Sequence, residues 1–267
     1  MRSLGKRAAV LVSLLSLAVG ALASPSSPAK AAAGIEGVPT LKHVFVIVLE
    51  NEDFSSSWDP AHAPYLNSLK AQGAFAQNYY GVSHLSADNY IAMTSGQSPN
   101  FMFQSDCLNY ASCYGVEKAR LDNGRNIGDQ LEEQGLTWKG YMQSMQTPCQ
   151  HPALTNPYDS ENTSYATKHD PFVYYPSIVD DQTQCDSHVV PFSQFSSDLS
   201  SAASTPNFSF ITPDMCEDGH DAPCKDGSGR AGGLAQADAF LAREVPAILG
   251  SAAYADGGAL PQRSHAC

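Results

Sequence analysis

Val44-Phe-Val-Ile-Val-Leu49 runs directly into Glu50-Asn51. Six consecutive apolar residues, mostly β-branched or aromatic, predict a strand covered on both faces, as strands inside parallel sheets are. The carboxylate and amide at its end stand where open α/β sheets take ligands, beyond the carboxyl ends of the strands. Acidic residues are depleted in strands. Glu50 at this edge therefore reads either as an oxygen donor to a metal cation or as the polar turn at which a strand simply stops.

Working outward, strands and helices alternate. Residues 64–72, with Gly73 behind them, predict a helix closed by a glycine cap. A second helix is expected over 87–94 and a third over 126–134, stopped by Gly135 and followed by a strand-like run at 136–141. Residues 143–205, rich in Pro, Ser, Asp and Tyr, read as irregular. A late strand is expected at 208–212, and a long amphipathic helix at 234–249 contains Pro246 as a candidate kink. This alternation predicts an α/β fold, a layered and mostly parallel sheet with flanking helices.

Arg2, Lys6 and Arg7 precede an apolar stretch at 8–22 that ends in Ala21-Leu22-Ala23. That is the pattern of a secretory signal peptide over 1–23, followed by a Ser/Pro/Ala-rich linker over 24–37. The remainder, 38–267, suits one sizeable domain. No later segment is apolar for long enough to span a bilayer, so an exported protein without a membrane span is expected. The formal net charge of −12, or −15 without the three basic leader residues, disfavours nucleic acid and anionic membranes as partners. Seven cysteines in an exported chain suggest disulfides. Proximity pairs Cys107 with Cys113, Cys216 with Cys224 and Cys149 with Cys185, and leaves Cys267 over. A zinc site is less supported, because no Cys-x-x-Cys pair occurs.

Two further clusters carry chemistry. In Gly81-Val-Ser-His84-Leu-Ser86-Ala-Asp-Asn89-Tyr90, Ser86 stands just before a helix, where free N–H groups and the helix dipole favour an anion. A serine there can equally be a plain N-cap. No Gly-x-Ser-x-Gly elbow is present, which argues against an acyl-transfer hydrolase. Pro213-Asp214-Met-Cys216-Glu-Asp218-Gly-His220-Asp221, directly after the late strand expected at 208–212, packs carboxylates and an imidazole into one short loop.

Together these stretches resemble the secreted phosphoesterases that include bacterial acid phosphatases and non-haemolytic phospholipases C, within the alkaline phosphatase superfamily. The matching pieces are His43 to Asn51, Ser83 to Gly96, Lys168-His169-Asp-Pro171-Phe-Val, and Ile211 to Asp221. The resemblance implies an alkaline-phosphatase-like fold and phosphoester hydrolysis through a phosphoserine at Ser86. It implies one divalent metal ion on Glu50, Asn51 and Ser86, with Asn89 and His84 contacting the phosphate of a small phosphoester substrate. His169 and His220 would contact the phosphoryl group or protonate the leaving oxygen, and Asp218 or Asp221 would orient an imidazole. A phospholipase C, or an exported phosphate-ester-binding protein without turnover, are the other readings.

Relatives of this type run on, after the region of Gly258, into a hydrophobic strand that ends in an acidic pair completing the metal site. Here Ala259-Leu-Pro-Gln-Arg-Ser-His-Ala-Cys267 follows. Pro261 cannot donate to a central ladder, so no strand is expected over 259–267. The domain is expected to be C-terminally incomplete, to lack part of its metal ligands and to turn over weakly if at all.

Overall fold

β1 (His43–Leu49) forms where the apolar run places it. A computed structural model describes residues 40–120, 124–155 and 164–264. The leader expected over 1–23, the linker over 24–37 and Cys267 lie outside the described residues. After β1 come α1 (Phe54–Ser57), α2 (Pro64–Leu69), α3 (Ser86–Ser95), α4 (Tyr110–Lys118) and α5 (Ile127–Glu133), leading into β2 (Trp138–Met142). The helices α6 (Pro176–Val179) and α7 (Gln182–His188) precede β3 (Val189–Pro191), and α8 (Phe195–Asp198) precedes β4 (Phe208–Thr212). The chain then passes through α9 (Gly233–Leu249) and α10 (Ala252–Ala255) to β5 (Gly258–Ala259) and β6 (Gln262–Ser264).

The strands form one sheet in the order β3-β2-β4-β1-β5, with β6 also on β1, and every pairing is parallel. Each strand therefore ends at the same edge of the sheet. Side chains alternate between two cores, as the period of two along a strand requires. Val44, Val46 and Val48 face one layer with Tyr90, Phe103, Trp138, Phe172 and Phe210. Phe45, Ile47 and Leu49 face the other with Leu66, Tyr141, Ile211, Phe240, Val245 and Ile248. Apolar cover on both faces explains why β1 and β4 carry unbroken apolar runs.

Three expectations need correction. α2 stops at Leu69, and the N–H groups of Lys70, Ala71 and Gln72 reach back three residues, so the helix tightens to a close before Gly73 can cap it. Residues 143–205 are not wholly irregular, since they hold α6, α7, α8 and the edge strand β3. The tail also forms strand. β5 pairs His43↔Gly258 and Val44↔Ala259, and β6 pairs Ile47↔Gln262 through Leu49↔Ser264 in the same register. Leu260 and Pro261 interrupt one strand position rather than abolish it, because the ladder loses proline's N–H locally and resumes at once.

The three expected cysteine pairs are joined: Cys107–Cys113, Cys149–Cys185 and Cys216–Cys224. Among the described residues no helix is long and apolar enough to cross a membrane.

Candidate active site

Ser86 is the first residue of α3, and the preceding Leu85 offers no side chain to cap the helix. The Ala87 N–H is taken instead by Asp106 Oδ1 at 3.0 Å. Ser86, at the first helical position and not the cap, has its Oγ donating to Glu50 Oε2 at 3.0 Å in a buried setting. Glu50 arrives from the end of β1, and its N–H donates to the Asp218 carbonyl at 2.8 Å. This bond ties the end of β1 to the loop that follows β4. The approach is close enough to demand glycine next door: Gly219 has φ +110°, and a Cβ there would stand 2.8 Å from the Glu50 carbonyl oxygen.

Both histidines reach the same pocket. His169, in a 3₁₀ turn (Thr167–His169), is 2 % exposed. Its Nδ1 lies 3.1 Å from Asp218 Oδ2 and its Nε2 3.9 Å from Glu50 Oε2. Neither contact is a hydrogen bond, and both ring nitrogens are buried without such a partner. Tyr90, one turn along α3 from Ser86, stacks on the His169 ring at 5.2 Å and 10°. The His220 ring stands edge-on at 5.7 Å. The His220 N–H donates to Asp218 Oδ1 at 2.7 Å, while its Nδ1 is 3.0 Å from Asp221 Oδ1, so Asp221 fixes the ring. The Cys216–Cys224 disulfide closes this loop.

Burial governs the charges. It raises the Glu50 carboxyl above the ordinary range and pushes Asp218 up to about 8, with neighbouring carboxylates adding to each. It also drives His169 and His220 down, so both imidazoles are neutral at pH 7. Glu50 Oε1 and Asp218 Oδ2 are buried without a hydrogen-bond partner. Such atoms call for a cation or a ligand donor. Among the described residues, no group of three or more His, Cys, Asp or Glu side chains is arranged to enclose a metal ion. The hard oxygen donors of Glu50 and Ser86, beside a second orphaned carboxylate oxygen, nonetheless have the chemistry that a divalent cation accepts.

Of the residues singled out in the sequence, Glu50, Ser86, His169, Asp218, His220 and Asp221 converge. Asn51 is exposed, at φ 66°, and His84 is exposed on the preceding loop. Asn89 is engaged locally: its Nδ2 donates to the Ser83 and Leu85 carbonyls and its Oδ1 accepts the Val82 N–H, which shapes the loop into Ser86. Tyr90 stood within a recognised stretch but without a role, and Asp106, in a disulfide loop far from any strand end, lacked any sequence signal as a site residue. Lys168 stood within a recognised stretch but without a role; its Nζ donates to Asp106 Oδ2 at 2.8 Å.

The parallel sheet thus gathers a hydroxyl at a helix start, two buried carboxylates and two imidazoles at its carboxyl edge, where open α/β sheets take ligands. Residues 55–230 match the Phosphoesterase family, and the chain belongs to it. It is 29 % identical over 200 residues to a probable acid phosphatase of Kluyveromyces lactis, covering 74 % of this chain and 43 % of that protein. It is 28 % identical over 250 residues to a phosphatidylinositol-3-phosphatase of Mycobacterium tuberculosis, covering 92 % and 69 %. An acid phosphatase of Aspergillus fumigatus is 27 % identical over 204 residues, covering 76 % and 42 %. The chain thus spans less than half the length of these fungal relatives.

Proposed function

We propose that this chain hydrolyses phosphoesters through a phosphoserine at Ser86. The observation that carries the reading is the buried 3.0 Å bond from Ser86 Oγ to Glu50 Oε2 at the start of α3. Glu50 draws the hydroxyl proton as the Oγ–P bond forms and the ester P–O bond breaks. The leaving oxygen takes a proton from His220 in its charged form, which Asp221 supports and burial confines to acidic pH. Water then attacks the phosphoserine and gives its proton to the now neutral His220, the Oγ–P bond breaks, and Ser86 Oγ takes its proton back from Glu50. Inorganic phosphate leaves and the site is restored. His169, held by Tyr90, presents a ring nitrogen toward the Glu50–Ser86 pair and is suited to a phosphoryl oxygen.

Glu50 and Ser86, beside the orphaned Asp218 Oδ2, would hold one divalent cation. Bound there, it would lower the pKa of the hydroxyl and offset phosphoryl charge. Three disulfides and the kinship with fungal acid phosphatases support an exported protein. Small phosphoesters are the substrate class, and an aryl phosphate and a short-chain phosphatidylinositol 3-phosphate are suitable probes.

Ser86→Ala tests the reading. Turnover of the aryl phosphate should drop by about 10³-fold or more, because the nucleophile itself is removed. Acid-quenched wild-type protein should carry phosphate on Ser86. Unchanged turnover in the variant would exclude this mechanism. Affinity for inorganic phosphate in a wild type that never forms phosphoserine would assign the chain to binding without turnover.

A further inference from the structure

Asp106 belongs to none of the clusters above, yet one carboxylate of it touches both halves of the site. Its Oδ1 accepts the N–H of Ala87, the residue after Ser86, at 3.0 Å. Its Oδ2 accepts from Nζ of Lys168, the residue before His169, at 2.8 Å. Neither Ser86 nor His169 stands on a strand, so the sheet alone does not set their separation. We infer that Asp106 is a positioning residue that holds the α3 start and the His169 turn at a fixed distance, an inference that rests on Ser86 being the nucleophile.

The local chain is built to hold that carboxylate still. Asp106 and Cys107 are consecutive left-handed residues, at φ 60° and 51°, a conformation that side chains other than glycine seldom adopt. The Asp106 N–H donates to the Phe103 carbonyl and the Cys107 N–H to the Met102 carbonyl, while the Cys107–Cys113 disulfide pins the loop to α4. Asp106 also supplies the helix cap that Leu85 cannot, beside the Ser86 hydroxyl that bonds Glu50. Burial opposes its charge, but Lys168 and the Ala87 N–H outweigh burial and hold the carboxyl below its ordinary range.

Four variants measured beside Ser86→Ala test this, with aryl phosphate as substrate and folding followed by near-UV circular dichroism. Asp106→Ala cuts both contacts and should lower kcat about 100-fold, with KM changed less than about threefold, as expected for a misplaced nucleophile rather than a lost binding contact. Asp106→Asn keeps an acceptor for Ala87 and tolerates the left-handed backbone, so it should lose only about tenfold. Lys168→Ala should lose about tenfold as well, and Asp106→Asn with Lys168→Ala no more than either alone, because both cut one link. If Asp106→Ala does not fold, the Asn and Lys168 variants decide. Turnover within twofold of wild type in Asp106→Asn and Lys168→Ala, or losses that multiply in the pair, would overturn the inference. So would a change confined to KM. Inactive Ser86→Ala beside fully active Asp106 variants defeats the positioning role alone, whereas active Ser86→Ala removes the mechanism on which it stands.

Discussion

Ser86 stands one position past the helix cap, where Leu85 has no side-chain acceptor, and the missing acceptor for the Ala87 N–H is a carboxylate nineteen residues beyond Ala87. Glu50 and Ser86 were legible in the sequence because a strand end and a helix start are local signals. His169 and His220 were legible only through longer stretches shared with a known family, since a lone histidine has no spacing of its own. Asp106 was illegible, because its meaning arises from a loop folding back on two distant segments. The same holds for Asp170, next to His169. It is fully buried, with Oδ2 2.9 Å from the Tyr165 hydroxyl and Oδ1 accepting the Phe172 N–H. The Tyr165 hydroxyl has one proton and a second acceptor, the Gln150 carbonyl at 2.8 Å. A protonated Asp170 satisfies every group in that chain, and burial raises its pKa from 3.8 to about 7. With the folded value above the unfolded one, the folded state holds the extra proton between these limits. This group's contribution is then complete below the lower limit and is lost as pH rises to the upper one. Asp170→Asn imitates the neutral acid. Urea unfolding from pH 4.5 to 7.5 should show wild-type stability falling relative to the variant, by at most about 1.4 kcal/mol per pH unit. Parallel curves for the two proteins would show that Asp170 is ionised throughout.

Elements were readable in proportion to how much of their sequence is spent on one environment. β1 and β4, covered on both faces, announce themselves as apolar runs. β3 has three residues and ends in Pro191, while β5 and β6 are separated by Leu260–Pro261, so each is too short for a periodic signal. Their pairing is decided by the neighbouring strand, which is a tertiary effect. α4 was missed for a related reason: its buried residues Tyr110, Cys113 and Glu117 follow helical spacing but include a carboxylate, so no apolar stripe appears. α5, by contrast, shows its start plainly. Asn126 Oδ1 accepts the Gly128 N–H at 2.8 Å, and Asp129 Oδ2 accepts the Asn126 N–H at 2.9 Å, a reciprocal cap. Asn126 is also fully buried and its Nδ2 reaches Asp129 and Ser177. Asn126→Ala should cost about 1–2 kcal/mol in urea unfolding. Because no site residue stands on α5, kcat for an aryl phosphate should stay within twofold. A large loss of kcat at temperatures where the variant is folded would mean that α5 is coupled to the pocket.

Across the described residues, the three disulfides should divide stability and the proposed catalysis between them. In the chain-entropy view a crosslink stabilises by shrinking the unfolded ensemble, and the gain grows with loop length. Cys149–Cys185 closes a separation of 36 residues, whereas Cys107–Cys113 and Cys216–Cys224 close 6 and 8. Loss of the long bridge should cost about 4 kcal/mol, and loss of either short one about 2 kcal/mol. For the proposed catalysis the expected order is the reverse. The long bridge sits in the core with Trp138, Phe172 and Val189. The short ones adjoin the chemistry: Cys107 follows Asp106, and Cys216–Cys224 encloses Asp218, His220 and Asp221. Paired Cys→Ser replacements, each melted in urea and assayed well below its midpoint, should show the long-bridge variant least stable but near wild type in kcat. The two short-bridge variants should retain more stability while losing at least about tenfold in kcat, since positional error rather than unfolding limits them. If activity instead tracked stability across all three, the pocket would depend on the global fold alone, and the local staples beside Asp106 and His220 would have no positioning role.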